Sequence, residues 1–184
     1  LYADANGSYN AEKAIEVGRM LESLDVKFFE EPCPWEELSE TKKVADALRM
    51  PVAGGEQDAS TWRFKWMVEN GVVQIVQPDL NYNGGFIRAL RVARIAAKQN
   101  IPITPHNTQT GASSVNILQF ASAVKNLGPH MEYPFRGKYD DASWYTPHFH
   151  IKNGRIAVPR TPGLGVEIDP AYLKKAQVVV SARV

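Results

Sequence analysis

Apolar positions along this chain alternate between two periods. Short apolar runs, LYAD, VKFFE, PVAGGE, VVQIVQPD and IPITPH, each close on one polar residue: Asp4, Glu30, Glu56, Asp79 and His106. Between these runs the apolar residues recur at helical steps. The pattern predicts strands at 1–4, 26–30, 51–55, 72–77 and 101–104, with a short last one at 131–133. Pro32 and Pro34 stop the second strand, because proline has no N–H for a sheet ladder. A helix is expected from Asn10, its N-cap, to about residue 24, with Ile15, Gly18 and Leu21 on its inner face. The next spans 36–49 and buries Leu38, Ala45 and Leu48. A third is capped by Ser60 or Asp58 and ends at Asn70-Gly71. A fourth covers 84–99 with a stripe of Phe86, Leu90, Ala93 and Ala97, and a fifth covers 111–124.

The five run-ending residues follow one another at steps of 23 to 27 residues. That is the length of a strand–helix unit, and strand–helix alternation with short connections is the signature of a parallel α/β array. In a closed (β/α) barrel every strand end points to one face, so the five side chains would converge. The expected fold is therefore α/β, a partial (β/α)8 TIM-type barrel over residues 1–135. Residues 136–184 form a C-terminal tail packed on it. Residues 139–147 are polar and aromatic, Asn153-Gly154 marks a hairpin, and Pro162–Gly165 is rich in turn residues. The chain opens with LYADAN, has no leading Met, and carries its first polar strand end at the fourth residue. A strand needs about five residues, so the expectation is a fragment that begins inside a strand.

Composition narrows the setting. Hydrophobic residues make up 44% and charged residues 22% of the 184, as in ordinary soluble domains. A net charge of +1 argues against a nucleic-acid partner, and Arg88, Arg91, Arg94 and Lys98 read as one solvated helix face. No apolar stretch reaches membrane-spanning length and no signal peptide is visible, so no membrane partner is expected. The lone Cys33 allows no internal disulfide and suits a reducing, cytoplasmic compartment.

Asp4, Glu30 and Glu56 would repel one another at a common strand-end face. A divalent cation removes that conflict, and all-oxygen ligation suits Mg²⁺; scattered surface acids are the alternative. His106 alone would be a polar loop residue. Asp79 on the adjacent strand end can accept its N–H, fix its tautomer and make it a positioned acid or base. Glu31 should alternate outward into a structural or supporting role. Gln57, Asn107 and Gln109 lie beside the site residues as candidates for substrate contact. His130, His148 and His150 have no partners in register, the tryptophans read as packing residues, and Gly84-Gly85 reads as turn geometry.

The motifs DANGSY, FFEEP, GGEQD, QPDLNYNGG and TPHNTQTG resemble those of the enolase superfamily, and its mandelate-racemase-like subgroup in particular. The resemblance implies Asp4, Glu30 and Glu56 as ligands of Mg²⁺, with Mn²⁺ as a substitute. It implies His106 as the base or acid with Asp79 as its partner, and Asn6 as a substrate contact. Glu132 resembles the acid that hydrogen-bonds a developing enediolate. The muconate-lactonising branch uses a lysine near the end of strand six, where this chain has Asp79. Members of the family also carry a capping domain and two earlier barrel strands with a Lys-x-Lys motif, for which this chain has no counterpart. The implied activity is Mg²⁺-dependent abstraction of the proton alpha to a carboxylate. A sugar-acid dehydratase giving a 2-keto-3-deoxy acid is the leading expectation. A 2-hydroxy-acid racemase or epimerase and an inactive metal-binding fragment are the alternatives. The implied partner is a small carboxylate, a sugar acid, in a homo-oligomeric enzyme.

Overall fold

The computed structural model describes residues 1–134, 143–177 and 179–180. These fall into two compact units, one of residues 1–107 and 123–132, the other of residues 108–122 and 133–184. The expected boundary at residues 135–136 lies outside the described residues.

The first unit is built on parallel strands. β1 (Ala3–Asp4), β2 (Phe29–Glu30), β3 (Val52–Gly54) and β4 (Ile75–Val76) form one sheet in sequence order. Asp4 pairs with Glu30, Glu30 with Ala53, and Gly54 with Val76. Single parallel bridges continue the row from Val76 to Ile103 and from Ile103 to Leu127. This is the α/β class and parallel order that the apolar runs predict. The row's next position is Leu127, however, not the expected strand at 131–133, where the backbone is irregular.

Local chemistry sets the helices between the strands. α1 (Ala11–Ser23) starts where the Asn10 side chain accepts the Lys13 N–H, and α3 (Thr61–Glu69) where Ser60 accepts that of Arg63. α2 (Leu38–Ala47) is shorter than expected. The predicted helix over 84–99 is α5 (Phe86–Ala97), and a short helix that the pattern does not predict, α4 (Leu80–Asn83), precedes it. Gly84 and Gly85 separate them at φ 93° and 88°, values no helix contains. The buried faces match expectation at Gly18, Leu48 and Ala93 and are otherwise rotated from it. Ala11, Ala14 and Gly18 are buried on α1, Thr41 and Val44 on α2, and Ala89, Val92, Ala93 and Ala96 on α5. Small residues win these positions because the helices pack closely. A Cβ on Gly18 would lie 2.3 Å from Leu48 Cδ1.

Phe29, Val52, Phe64, Met67, Val72, Val76, Val92 and Ile103 fill the space between sheet and helices. Trp62 does not join them and stands 80% exposed. Trp35 instead lies under Arg63, whose guanidinium sits 5.2 Å from the ring centroid. The same Arg63 donates from Nε to Asp58 Oδ1 at 2.7 Å and from Nη2 to the Trp35 carbonyl at 2.6 Å.

The second unit contains a 3-10 turn (Gly111–Ser114) leading into α6 (Val115–Ala123), then β5 (Tyr145–Thr146), antiparallel to β6 (Glu167–Ile168), and α7 (Pro170–Leu173). Trp144 stacks on Tyr172, and Tyr145 meets His148 and Phe149 edge-on or tilted. The hairpin at Asn153-Gly154 is present. Both residues have positive φ, as a tight two-residue turn requires, between Lys152 and Arg155. Among the described residues no helix is long and apolar enough to cross a membrane.

Candidate active site

Asp79 follows β4 and uses both carboxylate oxygens. Oδ1 caps α4 by accepting the N–H groups of Asn81 at 2.6 Å and Tyr82 at 3.0 Å. Oδ2 lies 2.8 Å from His106 Nδ1. Burial pushes this carboxyl up, but the His106 bond and the two backbone N–H groups outweigh it and hold it below its usual range. The carboxylate therefore stays ionised and fixes the imidazole with its Nδ1 proton toward Asp79.

His106 is 9% exposed. Burial pulls its pKa down, yet the Asp79 bond and the charges of Glu56 and Glu132 raise it to about 9. Its other nitrogen, Nε2, stands 3.5 Å from Glu56 Oε2. One ring nitrogen is thus anchored, and the other is presented to the acids at the neighbouring strand ends.

Those acids form a crowded group. Glu30 is buried at the end of β2, and its pKa rises to about 7, first by burial and then by the charges of Asp4, Glu56 and Glu132. Glu56 is also raised, chiefly by burial, and accepts a bond from Gln57 Nε2 at 3.1 Å. Asp4 is exposed, and its Oδ1 accepts the Asn6 backbone N–H at 2.7 Å. Glu132 Oε2 accepts the Asn107 backbone N–H at 2.7 Å, which ties it to the loop just after His106.

The sequence-predicted residues therefore come together in part. Asp79 and His106 touch, Glu56 faces His106, and Asp4, Glu30, Glu56 and Glu132 lie within each other's fields. Among the described residues, no group of three or more His, Cys, Asp or Glu is close enough to share a metal ion as the side chains stand. The donor set still matches a hard divalent cation in kind: all oxygen and mutually repelling, with Glu30 and Glu56 resisting ionisation until a positive charge is supplied.

Three contributors were not legible as site residues. Tyr2 sits within the field of Glu30, Glu132, Asp4 and Glu56; burial first, then these charges, raise its hydroxyl pKa. Gln77 is buried, and its amide opposes the rise of the Glu30 pKa. Its place two residues before Asp79 is the only signal for it in the chain. Glu31 is buried at φ 39°, with burial and the neighbouring acids raising it to about 8 and with its Oε1 unpartnered. Cys33, also buried, is pushed up to about 11 by burial, which makes it a poor nucleophile at neutral pH.

The model of the enolase C-terminal domain-like family matches residues 1–172. The chain belongs to this family. The resemblance to the mandelate-racemase-like members of the enolase superfamily is thereby borne out, with the chain corresponding to their C-terminal portion. Among curated relatives, this enolase-family chain is 33% identical to arabinonate dehydratase of Saccharolobus solfataricus, covering 90% of the chain and 44% of that protein. It is 34% identical to D-galactarolactone cycloisomerase of Agrobacterium fabrum, covering 92% and 47%. A solved enolase-superfamily member from Polaromonas sp. JS666 superposes with a TM-score of 0.84 at 30% identity, covering 97% of this chain and 47% of that one. The chain thus spans about half the length of the curated relatives it matches.

Proposed function

We propose that this chain carries the proton-transfer site of an enzyme that removes the proton alpha to a carboxylate and dehydrates a sugar acid to a 2-keto-3-deoxy acid. The observation that supports this most is the buried Asp79–His106 pair at 2.8 Å, with Nε2 turned toward the acid group. The 33% identity to a protein named arabinonate dehydratase supports a sugar acid as substrate.

Asp4, Glu30 and Glu56 would hold Mg²⁺, or Mn²⁺ in its place. When bound, the cation supplies positive charge beside the substrate carboxylate and so favours loss of the adjacent proton. The chain's own residues account for the rest. Asp79 pins Nδ1, so Nε2 is the atom that exchanges protons. As neutral imidazole, Nε2 takes the proton from C2. As imidazolium, it gives one to the hydroxyl leaving C3. A C–H and a C–O bond break, water departs, and the resulting enol tautomerises to the keto acid. The pKa of about 9 suits the acid half of this cycle. Neutralising the charges of Glu56 and Glu132 that raise it brings His106 back toward the range in which Nε2 accepts. Asn6, and Glu132 held by the Asn107 N–H, are assigned to the substrate's carboxylate end.

An isomerase outcome is the second reading, favoured by the 34% identity to a cycloisomerase. The two share the proton-abstraction step and differ in the fate of the enediolate. Sugar acids should be screened for 2-keto acid formation, and for solvent deuterium at C2 without keto acid. His106→Asn should lower turnover on the order of 100- to 10,000-fold and leave Mn²⁺ affinity nearly intact. Wild-type turnover in that variant refutes the assignment.

A further inference from the structure

We propose that the outer face of α3, flanked by α2 and α5, is the contact surface for a second copy of this chain, related by a two-fold axis parallel to α3. Trp62 and Trp66 are four residues apart on α3, so they share one face of it. They are 80% and 45% exposed. With Glu36 and Glu37, just ahead of α2, they line a groove of about 370 Å³. Ile87, in the first turn of α5, is 70% exposed and extends the apolar surface toward that helix. A tryptophan pair left in water has the composition of an interface core, not of a solvated helix face.

The charges beside this stripe select the occupant. Nearly every charged side chain of α2 and α3 is already paired: Lys42 with Asp46, Lys43 with Glu40, Lys65 with Glu69, and Arg63 with Asp58. Glu36 and Glu37 are exposed and make no ion pair among the described residues. α5 is the converse. It carries Arg88, Arg91 and Arg94, all exposed, and no acidic residue. These arginines also make no ion pair among the described residues.

The fold fixes how these edges lie. α2, α3 and α5 follow β2, β3 and β4, which are neighbours in one parallel sheet. α3 packs on α5, and Arg63 ties α3 to the Trp35 carbonyl ahead of α2. The helices therefore stand in the order α2, α3, α5, run in one direction, and have their first turns level. Across this face come an acidic edge, an aromatic stripe and a basic edge. Rotation about an axis parallel to α3 keeps each residue at its level and exchanges the two edges. Trp62 then meets Trp62 of the second copy. Glu36 and Glu37 of each copy meet Arg88 and Arg91 of the other, so the ionic contact forms twice. An isologous interface requires this self-complementarity. A partner of a single charge sign would be repelled at one edge or the other. The aromatic centre supplies the affinity, and the charged edges set the register.

The test is sedimentation equilibrium of the 184-residue chain and its variants, with folding checked by circular dichroism. The wild type should dimerise. Trp62→Ser should raise the dimer dissociation constant at least about 30-fold. Glu36→Lys with Glu37→Lys, and separately Arg88→Glu with Arg91→Glu, should each weaken the dimer on the order of 10- to 100-fold, because like charges then face one another. Mixing these two double variants should restore a dimer of wild-type affinity, one copy of each, since both edges are then complementary again. A general loss of structure in either variant gives no such rescue. A wild type that stays monomeric at about 0.1 mM leaves the face to another occupant and overturns the proposal. A dimer indifferent to Trp62→Ser and to both charge reversals overturns it as well, because association then runs through a different surface, such as an open strand edge. Folded double variants that stay monomeric when mixed overturn the two-fold arrangement.

Discussion

Replacing Asp79 with Asn removes one charge and reverses one hydrogen bond while keeping the helix cap. The Asn Oδ1 still accepts from Asn81 and Tyr82, as Asp79 Oδ1 does at 2.6 and 3.0 Å. At the other end an NH₂ group faces His106 Nδ1 and can only donate. The imidazole must then carry its proton on Nε2 or lose the contact. His106 stands at about 9 against an ordinary 6.5. That difference corresponds to about 3 kcal/mol of preference for the imidazolium. Burial pulls the other way, so the rise comes from the Asp79 bond and charge together with Glu56 and Glu132. Losing both Asp79 contributions should lower the His106 pKa. The sign comes from linkage. A raised histidine stabilises the fold fully below its unfolded pKa of 6.5 and loses that contribution as pH rises toward 9. Asp79, held low, contributes only above the acid range and loses its share as pH falls through its depressed folded pKa. Asp79→Asn should therefore destabilise the chain by about 1–3 kcal/mol near pH 6, with a gap that narrows by about pH 9. Urea unfolding at both pH values measures the gap, and NMR titration of the His106 ring measures the pKa. An unshifted His106, or a stability gap that is the same at both pH values, refutes the reasoning.

The same geometry sets two further outcomes. Glu30 and Glu31 are raised to about 7 and about 8, so each stabilises the fold below its unfolded value and loses that contribution as pH climbs through its folded one. The melting temperature of the metal-free chain should fall between pH 5 and 8, and Mg²⁺ should recover part of the loss; a flat profile contradicts the burial argument. Gly55→Ala combines a positive φ with a 2.7 Å approach to Phe64 and should cost about 1–3 kcal/mol in urea unfolding, whereas a wild-type midpoint would mean that Phe64 yields freely.

The strand ends are legible in the sequence because each apolar run stops on a polar residue at a regular step, a pattern that depends on the chain alone. His106 and Asp79 pair for the same reason, since adjacent parallel strands put successive ends side by side. Rotation of the helix faces is not legible. Gly18 lies on the expected face, but Leu and Ile satisfy a hydrophobic period as well as Ala does, and the close approach of α1 to Leu48 that favours small residues there shows only in the structure. Gly84-Gly85 reads as turn geometry and has positive φ at both positions; what stays hidden is the short α4 just ahead of it. Glu31 is expected on the outward face, and there it is buried between sheet and helices with an unpartnered oxygen, a cost that strand alternation alone cannot display.

Arg63 has a consequence for tolerances. It leaves α3 with one N–H on Asp58, two residues past Glu56, and another on the Trp35 carbonyl, in the loop after Glu30 and Glu31. A guanidinium is planar and rigid, so these two contacts are a fixed width apart. It acts as a caliper, gauging the gap between two acid-bearing loops from outside the site. A lysine could grip either jaw but could not set the width. Small drifts at a helix far from any reacting atom would therefore be read out as a change in how far apart two carboxylates stand.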